Sequence, residues 1–428
     1  MSDSKKKFAE LIETFSTFKY RNYKLFFTGQ SISLIGTWIQ IIALNWLVYT
    51  LTNSAFMLGV VGFISRIPTL ILAPFMGVVA DRFSKYKLLV LTQVLAMAQA
   101  GILAFLVLTS TIQVWQIIVL GLIGGIINSL DIPVRQAFIV DLVEDKKALS
   151  HAIVLNSFLI NIARFFGPTI AGILVATVGE GWCFSINALS FIAIIWSLLA
   201  MRIKKVNSSA KTKSDANNLK AGFIYAWNYI PIKTVLLLLA LVSLMGMPFQ
   251  VLMPVFAKDI LHGGPHTLGY LMAGVSVGAL AGGMFLSSRK KSILLISRYI
   301  AVAAFIFGCG LILFSLSRNF YLSFALLAIT GLGMMIQITS CNTFIQTVVD
   351  DDKRGRVMGF YTMAFMGTVP LGNLLSGFLA SAVGVTYTVL IGGVVSILGA
   401  VTFYTKLPRI IELAGNSNTE QEIYSLEE

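Results

Sequence analysis

The chain has 428 residues, 57% of them hydrophobic and 12% charged, with a formal charge of +13. That leaves too little polar surface to cover a soluble globule and predicts a membrane protein. The basic excess does not point to nucleic acid: the bases sit in short turns and at the chain start, with no aromatic and basic platform, so an anionic lipid leaflet is their expected partner.

The first residues carry Lys5, Lys6 and Lys7 but no apolar core with a cleavage site behind them, and no removable signal peptide is expected. Phe8, Leu11, Ile12, Phe15 and Phe18 recur at helical spacing, which makes 1–21 a short amphipathic segment on the cytoplasmic surface. Spanning helices are expected at about 24–51, 55–80, 88–109, 115–138, 151–178 and 182–201, within a first bundle 22–203. A Ser-, Asn- and Lys-rich stretch opens a flexible cytoplasmic linker, 204–231. Six more spans follow at about 233–257, 268–288, 292–316, 320–346, 357–382 and 385–405, forming a second bundle, 232–406, before a cytoplasmic tail, 407–428. The fold class is therefore all-α integral membrane, with twelve helices in two parallel six-helix repeats.

The halves echo each other in sequence. Leu142 to Lys147 followed by Ala171 to Gly179 is matched by Val348 to Arg354 followed by Ser376 to Gly384. Basic turns alternate with turns that carry almost no bases, which puts both termini and the linker in the cytoplasm.

Cys183, Cys309 and Cys341 lie in apolar runs without paired spacing, so neither a disulfide nor a metal site is expected. His151, His262 and His266 sit at segment ends, and no cofactor is expected.

An ionisable group inside the hydrocarbon is costly and is a functional candidate by default. Arg66 falls near the centre of the second span, Arg164 near the centre of the fifth, and Asp131 in the inner half of the fourth with Arg135 one turn on. The positive excess predicts an interior that prefers an anionic group such as a carboxylate, catecholate or phosphate. Gln30, Ser33, Thr37 and Gln40 form a polar stripe along the first span, which either lines a cavity or packs on another helix. Asn128 lies one turn before Asp131, and Gln250, Gln337 and Asn373 are the substrate-contact candidates of the second half. Gly167-Pro168 in the fifth span is a candidate bend or gate, because proline removes a backbone hydrogen bond and glycine permits close helix contact.

The turn after the second span, with Gly77, Asp81, Arg82 and Lys85, resembles the loop signature of the major facilitator superfamily, with Ser84 where a glycine is usual. Gly167, Pro168 and Gly172 resemble that superfamily's antiporter motif. The runs from Arg21 to Gln30, Gly36 to Gln40, Asp131 to Ala137 and Ala163 to Pro168 are similar to the branch containing the enterobactin exporter and macrolide-efflux-type proteins. The superfamily resemblance implies that Asp131 pairs with Lys85 as a latch on the inward side; a proton-carrying role for Asp131 is the alternative. The resemblance to that branch implies a secondary active transporter rather than an enzyme, exporting siderophores or amphiphilic drugs, usually in exchange for protons. With the positive interior, the expectation is a monomer in the bacterial inner membrane that exports a small anion such as a siderophore. Multidrug or macrolide-type efflux, and import of a siderophore or other organic anion, are the alternatives.

Overall fold

A backbone in hydrocarbon has no water to bond, so apolar runs of this length must close their own hydrogen bonds as helices. The computed structural model describes residues 16–143, 146–202, 224–288 and 292–413, and among them twelve helical stretches are long and apolar enough to cross a membrane. The first six are Arg21–Thr52, Ala55–Ile64 continued by Ile67–Arg82, Lys85–Leu108, Val114–Asp141, Lys146–Val178 and Glu180–Leu199. The seventh begins as Ile230–Met245 and ends in a π-helical turn, Phe256–Ile260. Pro265–Ser287, Ile293–Leu316 and Phe320–Val348 follow. The eleventh is Asp351–Thr362 and Thr368–Val383 joined through another π turn, and Val385–Thr405 is the twelfth.

Local chemistry sets the ends. Asn53 terminates the first span with φ 44°, a left-handed conformation that asparagine tolerates better than most side chains. Gly179 and Gly384, matched in the sequence echo, both open the next span with positive φ, 85° and 91°. The echo thus records a backbone requirement, since only glycine takes that conformation freely. Exposed Trp115, Trp182, Tyr321 and Tyr387 stand within the first turn of the fourth, sixth, tenth and twelfth spans. In each unit they are the amphipathic rings that favour a membrane interface.

Two compact units result. One comprises Met1–Asn53, Ile64–Lys211 and Gly264–Gly269; the other comprises Ser54–Phe63, Thr212–Gly263 and Tyr270–Glu428. Within the first unit the sixth span packs on the first and third, the first also on the fifth, and the third also on the fourth. Within the second, the twelfth packs on the seventh and ninth, the seventh also on the eleventh, and the ninth also on the tenth. The same pairings therefore recur six spans apart. An aromatic and aliphatic core, including Tyr23, Phe26, Leu89, Phe138 and Phe191, holds one end of the first unit.

Several expectations change. The amphipathic segment lies outside the described residues up to position 15, and Ser16–Lys19 is a 3-10 turn whose Phe18 packs on Tyr23 and Phe27. The linker lies outside the described residues at 203–223, whereas 224–228 is already helical. Pro231 then starts the seventh span earlier than expected, because its fixed φ suits a first helical turn. Residues 407–413 of the expected tail are helical, and the rest of the tail is outside the described residues. The second span is broken at Ser65 and Arg66 rather than continuous. Pro68 explains the break: it has no N–H for the carbonyl of Ile64, and its ring crowds that carbonyl.

Candidate functional site

The break places Arg66 as the residue preceding the helix Ile67–Arg82, with its carbonyl accepting from Thr69 and Leu70. The fourth span makes room for this turn with glycines. A Cβ on Gly121 would lie 2.7 Å from Ser65 Oγ, and one on Gly125 would lie 2.7 Å from the Ser65 carbonyl and 2.9 Å from Pro68 Cγ. Asn128 falls on the same face as Gly121 and Gly125, is exposed, and lies opposite the apolar positions Val119, Leu122 and Ile126.

Arg164 is exposed although it shares a helix face with buried Gly167, Pro168 and Ala171; the outward-facing positions are Phe166 and Ile173. It therefore stands on the packed side of its helix rather than on the side of Phe166 and Ile173. Arg66 is exposed too, and the charge of Arg164 acts on it. Two guanidiniums from the second and fifth spans thus lie within electrostatic reach of each other in the first unit. Trp38 of the first span lies beside Arg164, its ring centroid 5.8 Å from Arg164 Cζ.

Asp131 is not part of this region. It is buried, and its Oδ1 accepts from Thr92 Oγ1 at 2.9 Å and Gln93 Nε2 at 2.6 Å, while Oδ2 lies 3.4 Å from an Arg135 nitrogen. The expected pairing with Lys85 is not formed; Lys85 Nζ instead bonds Asp141 at 2.9 Å. The physical reason is reach: Lys85 stands in the first turn of the third span and Asp141 in the last turn of the fourth, whereas Asp131 is almost three helical turns deeper. Arg82 at the same turn is exposed, while the side chains of Gly77 and Asp81 lie outside the described residues.

The polar stripe of the first span mostly packs. Gln30 and Ser33 are buried, on the face where Gly29 and Gly36 meet Ser197 and Ser190 of the sixth span. Gln40 joins an amide chain: Asn187 Nδ2 donates to Gln40 Oε1 at 2.7 Å, Gln40 Nε2 donates to Gln99 Oε1 at 3.1 Å, and Gln99 Nε2 donates to the Leu120 carbonyl at 3.2 Å. Gln40 therefore bonds to neighbouring helices rather than lining a cavity, and Ser33 lies on the packed face. Thr37, half-buried, donates to the Ser33 carbonyl. In the second unit Gln337 is fully buried, which removes it from contact with cargo in this conformation. Asn373 is buried and donates to the Gly62 carbonyl at 3.3 Å, and half-buried Gln250 points its Nε2 at Met334 sulfur, 3.8 Å away.

Gly167-Pro168 does not interrupt the fifth span, which runs as one helix from Lys146 to Val178. The glycine instead admits Trp38. A Cβ there would collide with the Cβ of Trp38 and lie 3.0 Å from its Cγ.

Sequence reasoning missed Trp38, Pro68, Thr92, Gln93 and Asp141. Trp38 lies in the Gly36 to Gln40 run that carries the resemblance, and Asp141 directly precedes the repeated segment from Leu142 to Lys147. Thr92 and Gln93 left no signal, because single polar residues are common in spanning helices.

A family model described as a transmembrane secretion effector matches residues 12–425. The staphyloferrin A transporter of Staphylococcus aureus is 30% identical, over 89% of this chain and 95% of its own length. Macrolide efflux protein A of Streptococcus pyogenes is 24% identical, over 90% and 96%. Among solved structures, a bacterial homologue of the iron transporter ferroportin in its inward-facing state superposes with a TM-score of 0.69 at 16% identity, covering 90% of this chain and 98% of that one.

Proposed function

The chain belongs to the transmembrane secretion effector family of major facilitator transporters, and from that premise we propose that it exports a small organic anion of the siderophore kind in exchange for protons. The observation that carries the reading is the pair of exposed arginines, Arg66 at the break of the second span and Arg164 on the packed side of the fifth, with the charge of Arg164 acting on Arg66. Two like charges at membrane depth repel each other and are costly to desolvate. An anionic group of the cargo, bridging both, relieves that repulsion with charge-assisted hydrogen bonds. Asn128 adds a neutral polar group on the adjoining helix face. Similarity to a staphyloferrin A transporter supports a siderophore as the cargo class. The setting we assign is the bacterial cytoplasmic membrane, with both termini inside and a single chain as the working unit.

A second reading, efflux of a neutral amphiphile of the macrolide type, draws on the likeness to macrolide efflux protein A. The two guanidiniums favour the anion over it. Export and import are separated by comparing small molecules inside and outside cells with and without the gene: export predicts that a siderophore-type anion accumulates inside when the gene is deleted. Arg164→Ala is expected to lower flux of that anion at least about tenfold while the protein still inserts. Undiminished flux in that variant would sink the anion reading.

A further inference from the structure

We propose that Gln337 and Ser340 of the tenth span hold ordered water inside the second unit, on a polar ridge that leads to the end of the span at Val348. Such a site is independent of the chemistry of the cargo.

Gln337 is fully buried, and among the described residues neither its Oε1 nor its Nε2 has a hydrogen-bond partner. Ser340, one turn on and on the same side of the helix, is fully buried too, and its Oγ has no partner either. A serine in a spanning helix often turns back onto the preceding turn. The equally buried Ser297 and Ser396 do so, donating to the carbonyls of Ile293 and Gly392 at 2.8 and 2.7 Å. Ser340 makes no such bond, which leaves its hydroxyl, like the amide of Gln337, without a protein group to meet. Buried polar atoms of folded chains are met by protein or by water, because leaving them bare forfeits their full hydration. Water donates and accepts, as an amide and a hydroxyl together require. A metal cation would take up only the two oxygens and leave Nε2 unmet.

The ridge gives this water a way in. Thr343 and Thr347 continue the steps of three and four residues from Gln337 and Ser340, and exposure rises along them: Thr343 is partly buried, and Thr347, in the last turn of the span, is exposed. The sequence echo sets the pair against the other half of the chain. With Leu142 and Val348 matched as the first residues of the repeated segments, Gln337 falls opposite Asp131, so both halves carry a buried polar side chain at the matched position. In the first unit the third span supplies partners for it, Thr92 and Gln93. The corresponding positions of the ninth span are Arg298, which is exposed, and Tyr299, whose ring packs on Phe285 with centroids 5.7 Å apart. Protein bonds thus tie the fourth span to the third, whereas water is the partner left to the tenth. Water-mediated bonds re-form readily, so this face of the tenth span can shift without exchanging one protein partner for another.

The test is X-ray radiolytic footprinting of the purified full-length chain, in which hydroxyl radicals formed from bound water oxidise the side chains beside it. Met334 and Cys341 stand one turn to either side of Gln337, are buried, and carry oxidisable sulfur. Both are expected to be oxidised in wild type, and about tenfold less in the double variant Gln337→Leu, Ser340→Ala. Equal oxidation in wild type and variant would overturn the proposal. So would wild-type sulfurs no more oxidised, after correction for intrinsic reactivity, than Phe314, a buried ring packed on Phe256. A second measurement needs only one substitution, the melting temperature of Gln337→Leu. A dry, unpaired amide would make that variant melt higher than wild type, and such a rise overturns the proposal; an unchanged or lower melting temperature supports it. Wild type is also melted in sodium chloride and in choline chloride at equal strength. Equal melting temperatures are expected, and a rise specific to sodium would assign the two oxygens to a cation and overturn the water site.

Discussion

At Asp131 three neighbours decide what a carboxylate inside the membrane does. Thr92 and Gln93 supply two hydrogen bonds to one oxygen and Arg135 supplies a cation to the other, so the charge is matched on the spot. A group so engaged joins the third and fourth spans. Asp131→Asn is expected to destabilise the protein by about 2 kcal/mol, because Arg135 loses its counter-charge and meets an amide NH2 where Oδ2 stood, while Oδ1 keeps its two donors. It should leave the dependence of flux on a pH gradient intact. Thermal melting of the purified variant, beside vesicle flux at several gradients, checks both halves. A normal melting point with gradient-independent flux would return Asp131 to the role of carrier.

At the scale of elements, glycine placement decides which helices approach closely. Gly172 of the fifth span and Gly269 of the eighth meet backbone to backbone in the first unit, where a Cβ on Gly172 would lie 2.7 Å from Gly269 Cα and 2.8 Å from the Pro265 carbonyl. In the second unit Gly59 and Gly377 repeat the arrangement, with a Cβ on Gly377 lying 2.8 Å from Gly59 Cα. Gly172 and Gly377 are also matched in the sequence echo, so one contact has been kept twice. Gly172→Ala and Gly377→Ala are each expected to cost about 1–3 kcal/mol, since rigid backbone rather than a flexible side chain must give way. Gly101→Ala is the control: nothing lies within 4 Å of its added methyl group. There the better helix propensity of alanine should leave stability unchanged or raise it by up to about 1 kcal/mol. Melting temperatures of the three variants decide, and a loss at Gly101 equal to the others would remove the packing argument. The break in the second span belongs to the same scale: Pro68 opens the backbone, and Gly121 and Gly125 receive the turn that results.

For the whole molecule, the distribution of charge and aromatic rings makes an orientation testable. The turn holding Lys85 and Lys87 is basic, whereas the turn between the third and fourth spans, from Thr109 to Gln113, carries no base. In intact cells a membrane-impermeant maleimide is expected to label Thr111→Cys and to spare Lys87→Cys until the membrane is opened. Wild-type protein provides the background, since Cys183 and Cys341 are buried. The reverse pattern would invert the topology and with it the assigned direction of transport.

Much of this was legible in one dimension. Spanning helices follow from long apolar runs because a backbone in lipid can be satisfied only from within, and that constraint acts locally. The repeat could be read because Gly179 and Gly384 answer a local need for positive φ, and the cost of Arg66 and Arg164 at membrane depth follows from residue type and position alone. Partner choice was not legible. Whether Gln40 faces a cavity or Asn187, whether Lys85 finds Asp131 or Asp141, and why Gly167 is a glycine all depend on how one helix is rotated against another. That rotation is set by side chains far apart in the chain. Sequence alone therefore determined which segments enter the membrane and where charge is costly; tertiary structure decided which charges are matched, because matching depends on distances of a few ångströms between helices that no local pattern encodes.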